Sequence, residues 1–243
     1  MAGSTPQRSL VEIQGLTKSF GHQRVLRGID LEVKRGESVV IFGPNGAGKT
    51  TLIKVLATIM NPSSGTVLID GLSPRNNAEE IRRRIGVVTH QTFLYSNLTA
   101  YENLEFYSRL YDVPGYKTRI TEVAAMVAIT SRLHDRVGTL SRGMQQRVSV
   151  ARSLLHKPDL MLLDEAEAGL DQQAMSMLWE ALRTGGERKH TTILTTHNLE
   201  RGLELGDRLL ILDKGQIVYE GTRKALDLAG LRQAYQHSTS VKV

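Results

Sequence analysis

The chain contains no cysteine. That absence excludes disulfides, thiolate zinc sites, iron–sulfur clusters and haem attachment through cysteine. No apolar run approaches the roughly 18 residues that a membrane-spanning helix needs. The stretch from Met1 to Ser9 is polar and lacks the apolar core of a secretory signal. The expectation is therefore a chain that stays in the cytoplasm and reaches a membrane only by docking on another protein. Internal repeats are absent too, so one functional module is expected. The net charge is +6, and its densest run is Arg82-Arg83-Arg84 with Arg75 nearby. No aromatic residue is interleaved there and no nucleic-acid module is visible, so the run reads as a solvated helix face.

Hydrophobic residues make up 40% of 243 positions and charged residues 23%, enough apolar material for one large α/β domain or two small ones. The stretch Gly43-Pro44-Asn45-Gly46-Ala47-Gly48-Lys49-Thr50-Thr51 organises the rest. It fits G-x-x-x-x-G-K-[ST], a loop whose backbone N–H groups cradle phosphates between a strand and a helix. The flanks agree. Ser38-Val39-Val40-Ile41-Phe42 reads as a buried parallel strand, and Leu52, Ile53, Leu56, Ile59 and Met60 recur at helical spacing until Asn61-Pro62. Glycines allow close backbone approach, and the helix adds its positive dipole end. Lys49 is expected to reach the β and γ oxygens of a nucleoside triphosphate, and the Thr50 hydroxyl to ligate Mg²⁺.

Strands are expected over 10–14 and 29–33, separated by Lys18-Ser19-Phe20-Gly21, and again over 65–71 and 86–89. The last of these delivers Gln91 to a carboxyl end, where ligands gather in parallel sheets. From Leu98 to about Leu155 the texture is helical. Thr99-Ala100-Tyr101-Glu102 is a capping box, and Leu104, Tyr107 and Tyr111 mark one helix face. Ser141 caps a further helix whose apolar positions are Met144, Val148, Ala151 and Leu155. Leu160-Met161-Leu162-Leu163 returns to the sheet and ends in Asp164-Glu165. An acidic residue there can hold the water shell of Mg²⁺, and its neighbour can orient an attacking water. A helix with Ala174, Met175, Leu178 and Leu182 on its inner face is expected next. The strand Thr191–Thr196 then delivers His197, and a hairpin turns around Asp213-Lys214-Gly215.

Taken together, these parts resemble the ATP-binding subunit of ABC transporters over nearly the full chain. Gly43 to Thr50 matches the Walker A loop, and Gln91 the Q-loop. Leu140-Ser141-Arg142-Gly143-Met144 matches the signature, Leu163-Asp164-Glu165 the Walker B, Gly169-Leu170-Asp171 the D-loop, and His197 the switch histidine; Phe20 sits where the family places its adenine-stacking aromatic. The resemblance implies an α/β P-loop NTPase with a RecA-like mixed sheet core, an antiparallel β subdomain and an inserted α-helical subdomain. A single domain over 1–243 follows, with its core at 10–91 and 157–225, the helical part at about 92–156 and a tail at 226–243.

The resemblance also implies ATP and Mg²⁺, with Glu165, His197, Gln91 and Lys49 in catalysis and Thr50, Gln91 and Asp164 around the metal. Residues 43–51, Phe20, Ser141, Gly143 and Asp171 are expected to bind nucleotide. It implies a head-to-tail homodimer around two ATP molecules and a multi-span membrane permease that contacts the substrate in place of this chain. The chain is then expected to be peripheral on the inner face of the cell membrane and to make no direct contact with nucleic acid.

Two departures stand out: Arg142 and Met144 replace the usual Gly and Gln, and Ala166-Glu167 follows Glu165. Glu167 adds negative charge near the phosphates, which is expected either to slow the step or to be offset by Arg142 of the other copy. Arg142 and Met144, with the stretch Thr89–Thr99, look most like the haem-exporter branch of cytochrome c maturation; the rival is a general exporter ATPase for drugs, lipids or polysaccharide. Phe93, Leu94 and Tyr95 are the expected permease anchors. ABC ATPases acting on DNA or ribosomes carry tandem modules or a long coiled coil between Walker A and signature. Here Lys49 and Ser141 are 92 positions apart (141 − 49) with no sustained heptads, so neither design fits.

Overall fold

The computed structural model describes residues 9–166, 176–177, 179–180, 182 and 190–239. They divide into two compact units. One comprises Met1–Arg82, Leu162–Asp164 and Thr191–Val243, the other Arg83–Met161 and Glu165–His190.

The first unit opens with β1 (Ser9–Phe20) and β2 (Gln23–Lys34), long antiparallel strands separated only by Gly21 and His22. The alternation that predicts a strand over 10–14 breaks at Gly15. There φ is 57° and the pairing shifts between Ile13 and Leu16, marking a bulge. Past it the strand resumes in a new phase and includes Lys18 to Phe20, so that segment is strand where a connection is expected. β3 (Ser38–Phe42) is buried at every position, as a strand covered on both faces must be. The helix after the phosphate loop, α1 (Lys49–Leu56), ends a turn earlier than the apolar spacing predicts. Thr58 takes φ 59°, the amides of Ile59 and Met60 fold back to the Lys54 carbonyl, and Ile59 is left exposed.

β4 (Ser64–Ile69) completes an antiparallel sheet in the order β2-β1-β4, and α2 (Pro74–Arg82) follows it. The second unit begins with β5 (Ile85–Thr89). Its helices α3 (Ala100–Leu110), α4 (Tyr116–Met126) and α5 (Arg142–Leu154) pack on one another, with α5 also against β5. Gly86 permits that approach, because a Cβ there would lie 2.4 Å from Met161 Sδ and 2.6 Å from the Ser153 carbonyl. The expected capping box is formed: the Thr99 amide donates to Glu102 Oε2 at 2.7 Å and the Glu102 amide to Thr99 Oγ1 at 3.1 Å. The buried face of α3 carries Asn103, Leu104 and Ser108, with Tyr107 only half-buried.

β6 (Leu160–Asp164) starts in the second unit and gives Leu162–Asp164 to the first. There the strand order runs β6, β7 (Thr191–Thr195), β3, β8 (Arg208–Asp213) and β9 (Gln216–Thr222). β3 pairs in parallel with β7 and β8, and β9 is the antiparallel edge. α6 (Leu199–Leu205) packs on β3, its Gly202 lying so close that a Cβ would sit 2.3 Å from the Phe42 ring. α7 (Leu228–Ser238) covers α6 and the β8–β9 hairpin. No described helix is long and apolar enough to cross a membrane. Trp179 and Leu182 are buried helical residues. The expected inner-face residues Ala174, Met175 and Leu178, the Gly169-Leu170-Asp171 segment and Glu167 lie outside the described residues.

Candidate functional site

In the first unit the chain leaves β3 through Gly43 and enters α1 at Gly48, with φ 156° and 109° at these two glycines. A Cβ on Gly43 would sit 2.2 Å from the Leu212 carbonyl oxygen, and one on Gly48 would sit 2.8 Å from the Leu26 side chain. Only glycine lets the loop lie against β8 and β2 at both points. The Gly215 amide donates to the Ala47 carbonyl at 2.9 Å, tying the loop to the β8–β9 turn. Asn45 and Gly46 are exposed, while Ala47, Gly48 and Lys49 are buried. The Lys49 side chain, only 5% exposed, donates to the carbonyls of Gly43 at 2.7 Å and Pro44 at 3.1 Å. Its ammonium is thereby held inside the curl of the loop. α1 has no side-chain cap on its first-turn amides, which suits a helix start that receives an anion.

The end of β6 lies beside this loop. Asp164, 3% exposed, accepts from Thr50 Oγ1 at 3.2 Å and from Thr195 Oγ1 at 2.7 Å, both on Oδ1. These hydroxyls solvate a carboxylate that burial has removed from water. The same geometry fits Mg²⁺. Neighbouring oxygens of an octahedral ion with ligand distances of about 2.1 Å lie about 3 Å apart, close to the separation between Thr50 Oγ1 and Asp164 Oδ1. Among the described residues no three His, Asp or Glu side chains cluster, and a site of this type completes its shell with phosphate and water.

His197 lies two residues past the end of β7 and is exposed. The turn around it is held by Thr196 Oγ1, which accepts from the Asn198 amide at 2.9 Å, and by Asn198 Oδ1, which caps α6 by accepting from Arg201 N at 3.0 Å. Phe20, at the end of β1, is 47% exposed with the Lys18 ammonium 5.2 Å from its ring centre. Thus Lys49, Thr50 and Asp164 are brought together. Thr195 belongs to the same construction, Asn198 holds the turn that carries His197, and both are absent from the sequence-based set. Asn198, one residue ahead of a helical run, carries a readable cap signal; Thr195 carries none.

The second unit holds Gln91, Ser141, Gly143 and Glu165. Glu165 follows Asp164 with φ 47°, a left-handed conformation that turns its side chain away from the strand's alternation. Ser141 Oγ caps α5 by accepting from Met144 N at 3.3 Å. Ser141 and Arg142 are exposed, and Gly143 and Met144 are half-buried. Gln91 is exposed. Beyond it, Phe93 and Tyr95 are 57% and 51% exposed and Leu94 is half-buried. Phe106 and Leu110 of α3 are exposed as well, and the Tyr95 and Phe106 rings meet edge-on at 5.3 Å. Phe106 and Leu110 escaped notice in the sequence, although their i, i+4 spacing runs out of phase with buried Leu104 and Ser108.

The family model for the ABC transporter matches residues 26–168. The chain is 33% identical to the linearmycin resistance ATP-binding protein LnrL of Bacillus subtilis, an alignment covering 89% of this chain and 70% of that protein. It is 35% identical to the Nod factor export ATP-binding protein I of Ralstonia nicotianae, covering 90% and 68%. Among solved structures it is similar to a dimeric post-hydrolysis state of the ATP-binding cassette MJ0796 bound to ADP and Pi, with a TM-score of 0.79, 28% identity, and coverage of 88% of this chain and 98% of that one. With the phosphate loop, the buried Asp164 and these likenesses in place, the chain belongs to the ABC transporter family, as an ATP-binding subunit that hydrolyses ATP.

Proposed function

We propose that two copies of this chain close head to tail around two ATP molecules, each held by residues 43–51 of one copy and by Ser141 and Gly143 of the other, and that this cycle drives an exporter. The observation that carries the reading is the start of α5, whose Ser141 and Arg142 are presented to solvent. A helix N-terminus offers unpaired amides and a positive dipole end to an anion. A phosphate held by Lys49 in one copy can therefore join two surfaces that otherwise have little cause to meet. A two-fold closure of this kind forms both sites together.

Thr50 and Asp164 would hold Mg²⁺, with Gln91 proposed as the third protein group, and the ion would neutralise charge on the phosphates. Glu165 accepts a proton from water as its oxygen bonds to the γ phosphorus. The bond from that phosphorus to the bridging oxygen breaks, and ADP leaves with the electron pair. His197 contacts the γ phosphate and steadies this arrangement, Phe20 stacks on adenine, and Asp171 is assigned to nucleotide binding. Loss of the γ phosphate removes the bridge and lets the copies part; ATP's preference for the closed state is what transport requires.

Phe93, Tyr95, Phe106 and Leu110 form the exposed apolar patch that suits a multi-span permease, which contacts the transported molecule and holds this subunit at the inner membrane face. The names of the relatives, linearmycin resistance and Nod factor export, support the general exporter over the haem branch that Arg142, Met144 and residues 89–99 resemble. The test is Glu165→Gln: with ATP and Mg²⁺ it is expected to accumulate as a nucleotide-bound dimer on a sizing column, and Ser141→Arg in the same background to remain monomeric. Full turnover by Glu165→Gln with no dimer would overturn the reading. Copurification with a multi-span membrane protein supports the exporter, and salt-sensitive nucleic-acid binding in its place would overturn it.

A further inference from the structure

The segment that carries Gln91 is held by side chains from two helices. Gln146 of α5, 1% exposed, donates from Nε2 to the Thr89 carbonyl at 3.0 Å. Arg152 of α5 donates from Nη1 to the Thr92 carbonyl at 3.0 Å and from Nη2 to the Val87 carbonyl at 3.1 Å. Its guanidinium lies 5.1 Å from the ring centre of Tyr107, whose hydroxyl donates to the Phe93 carbonyl at 2.7 Å. Within the turn, Thr89 Oγ1 donates to the Gln91 carbonyl at 2.8 Å and accepts from the Gln91 amide at 3.2 Å. The carbonyls of Thr89, Gln91, Thr92 and Phe93 are thus each held by a side chain. An exposed turn leaving a strand ordinarily gives such groups to water. Phe93 has φ 52°, a region that a bulky side chain enters only when its surroundings enforce it.

Gln91 itself is exposed, so its place is set through its backbone. We infer that Arg152, with Gln146 and Tyr107, is a positioning residue for Gln91, making the Gln91 turn part of the α5 body. The planar guanidinium is needed because two of its N–H groups must meet carbonyls on opposite sides of Gln91; a lysine ammonium can serve as a point donor to only one of them. Any shift of α5 at its Ser141 end therefore carries Gln91 and the exposed Phe93 with it, and the reverse holds. This rests on the metal role given to Gln91 above.

The experiment is a double-mutant cycle on steady-state ATPase rate, with melting temperature recorded for each variant. Arg152→Lys is expected to lower kcat by about tenfold with KM for ATP within about twofold, because a misplaced group costs turnover rather than binding. In a Gln91→Ala background, already slowed, Arg152→Lys is expected to cost less than about a further twofold. If the two losses multiply, or if Arg152→Lys turns over normally, the inference is overturned and Arg152 only holds α5 on β5. Should Arg152→Lys fail to fold, Tyr107→Phe, which deletes only the hydroxyl on the Phe93 carbonyl, enters the same cycle with the same two outcomes. A fully active Gln91→Ala would instead overturn the Gln91 assignment, and the inference with it.

Discussion

Thr195 donates its hydroxyl to the Oδ1 of Asp164 at 2.7 Å, and both residues are buried. The bond fixes one carboxylate oxygen on the side where Thr50 reaches it. Thr195→Val keeps the volume and removes the donor. It is expected to cost about 1–3 kcal/mol of stability, the range for a buried group that loses its partner. The Mg²⁺ concentration needed for half-maximal ATPase activity is also expected to rise. Thr195→Ser is expected to restore both. Thermal melts and a Mg²⁺ titration of turnover check this, and a Thr195→Val enzyme identical in both would deny the bond any part in metal binding.

Lys49→Ala removes the ammonium held by the Gly43 and Pro44 carbonyls. The charge-assisted bonds this ammonium is assigned to make with the phosphates are worth about 1.5–3 kcal/mol, so ATP affinity is expected to fall about 10–100-fold, with turnover abolished. Nucleotide titration and phosphate release measure the two effects separately. Unchanged hydrolysis would remove the loop from the ATP site.

Two glycines of the same loop make a sharper contrast. Gly46 has φ 82° and open space where a Cβ would go, whereas a Cβ on Gly43 meets the Leu212 carbonyl oxygen at 2.2 Å. Gly46→Ala is therefore expected to cost about 1–2 kcal/mol from backbone strain alone. Gly43→Ala adds the displacement of β8 from β3, about 1–3 kcal/mol more. Chemical denaturation of the two variants reads the difference, and equal costs would contradict the close packing of Gly43 on β8.

Much of this site was legible because its parts are local. The loop spacing, the apolar run into Asp164 and the Thr99 capping box each lie within a few residues, where periodicity and cap chemistry act. The Thr195 bond to Asp164 was not legible, since it joins residues 31 positions apart and a threonine in a β-rich run needs no further reason to be there. Gln146 and Arg152 read from sequence as polar positions of a helix, yet they point into the unit and hold a turn. The early end of α1 and the bulge at Gly15 depend on single backbone angles, which hydrophobic spacing does not report. Phe93 and Tyr95 show the converse: apolarity in a row signals burial or docking equally well, and their exposure excludes only the first.

His156 gives a pH dependence whose direction is fixed by its surroundings. Its Nε2 bonds the Ile85 carbonyl at 2.9 Å, its ring stacks on Tyr111 at 4.2 Å, and its Nδ1 is buried with no hydrogen-bond partner among the described residues. Burial first, and then the nearby positive charges of Arg119 and Arg152, hold its pKa below the ordinary 6.5, against the opposing pull of the Ile85 bond. The folded chain therefore refuses a proton that the unfolded chain accepts. Stability from this group is complete above about pH 6.5 and is lost as pH falls from there toward the depressed folded-state value. His156→Gln keeps an N–H for Ile85 and removes the titration. The melting temperature of the wild type is expected to fall more steeply between about pH 7 and pH 5 than that of the variant. Parallel slopes over that window would mean that His156 takes up its proton as readily in the folded chain as in the unfolded one.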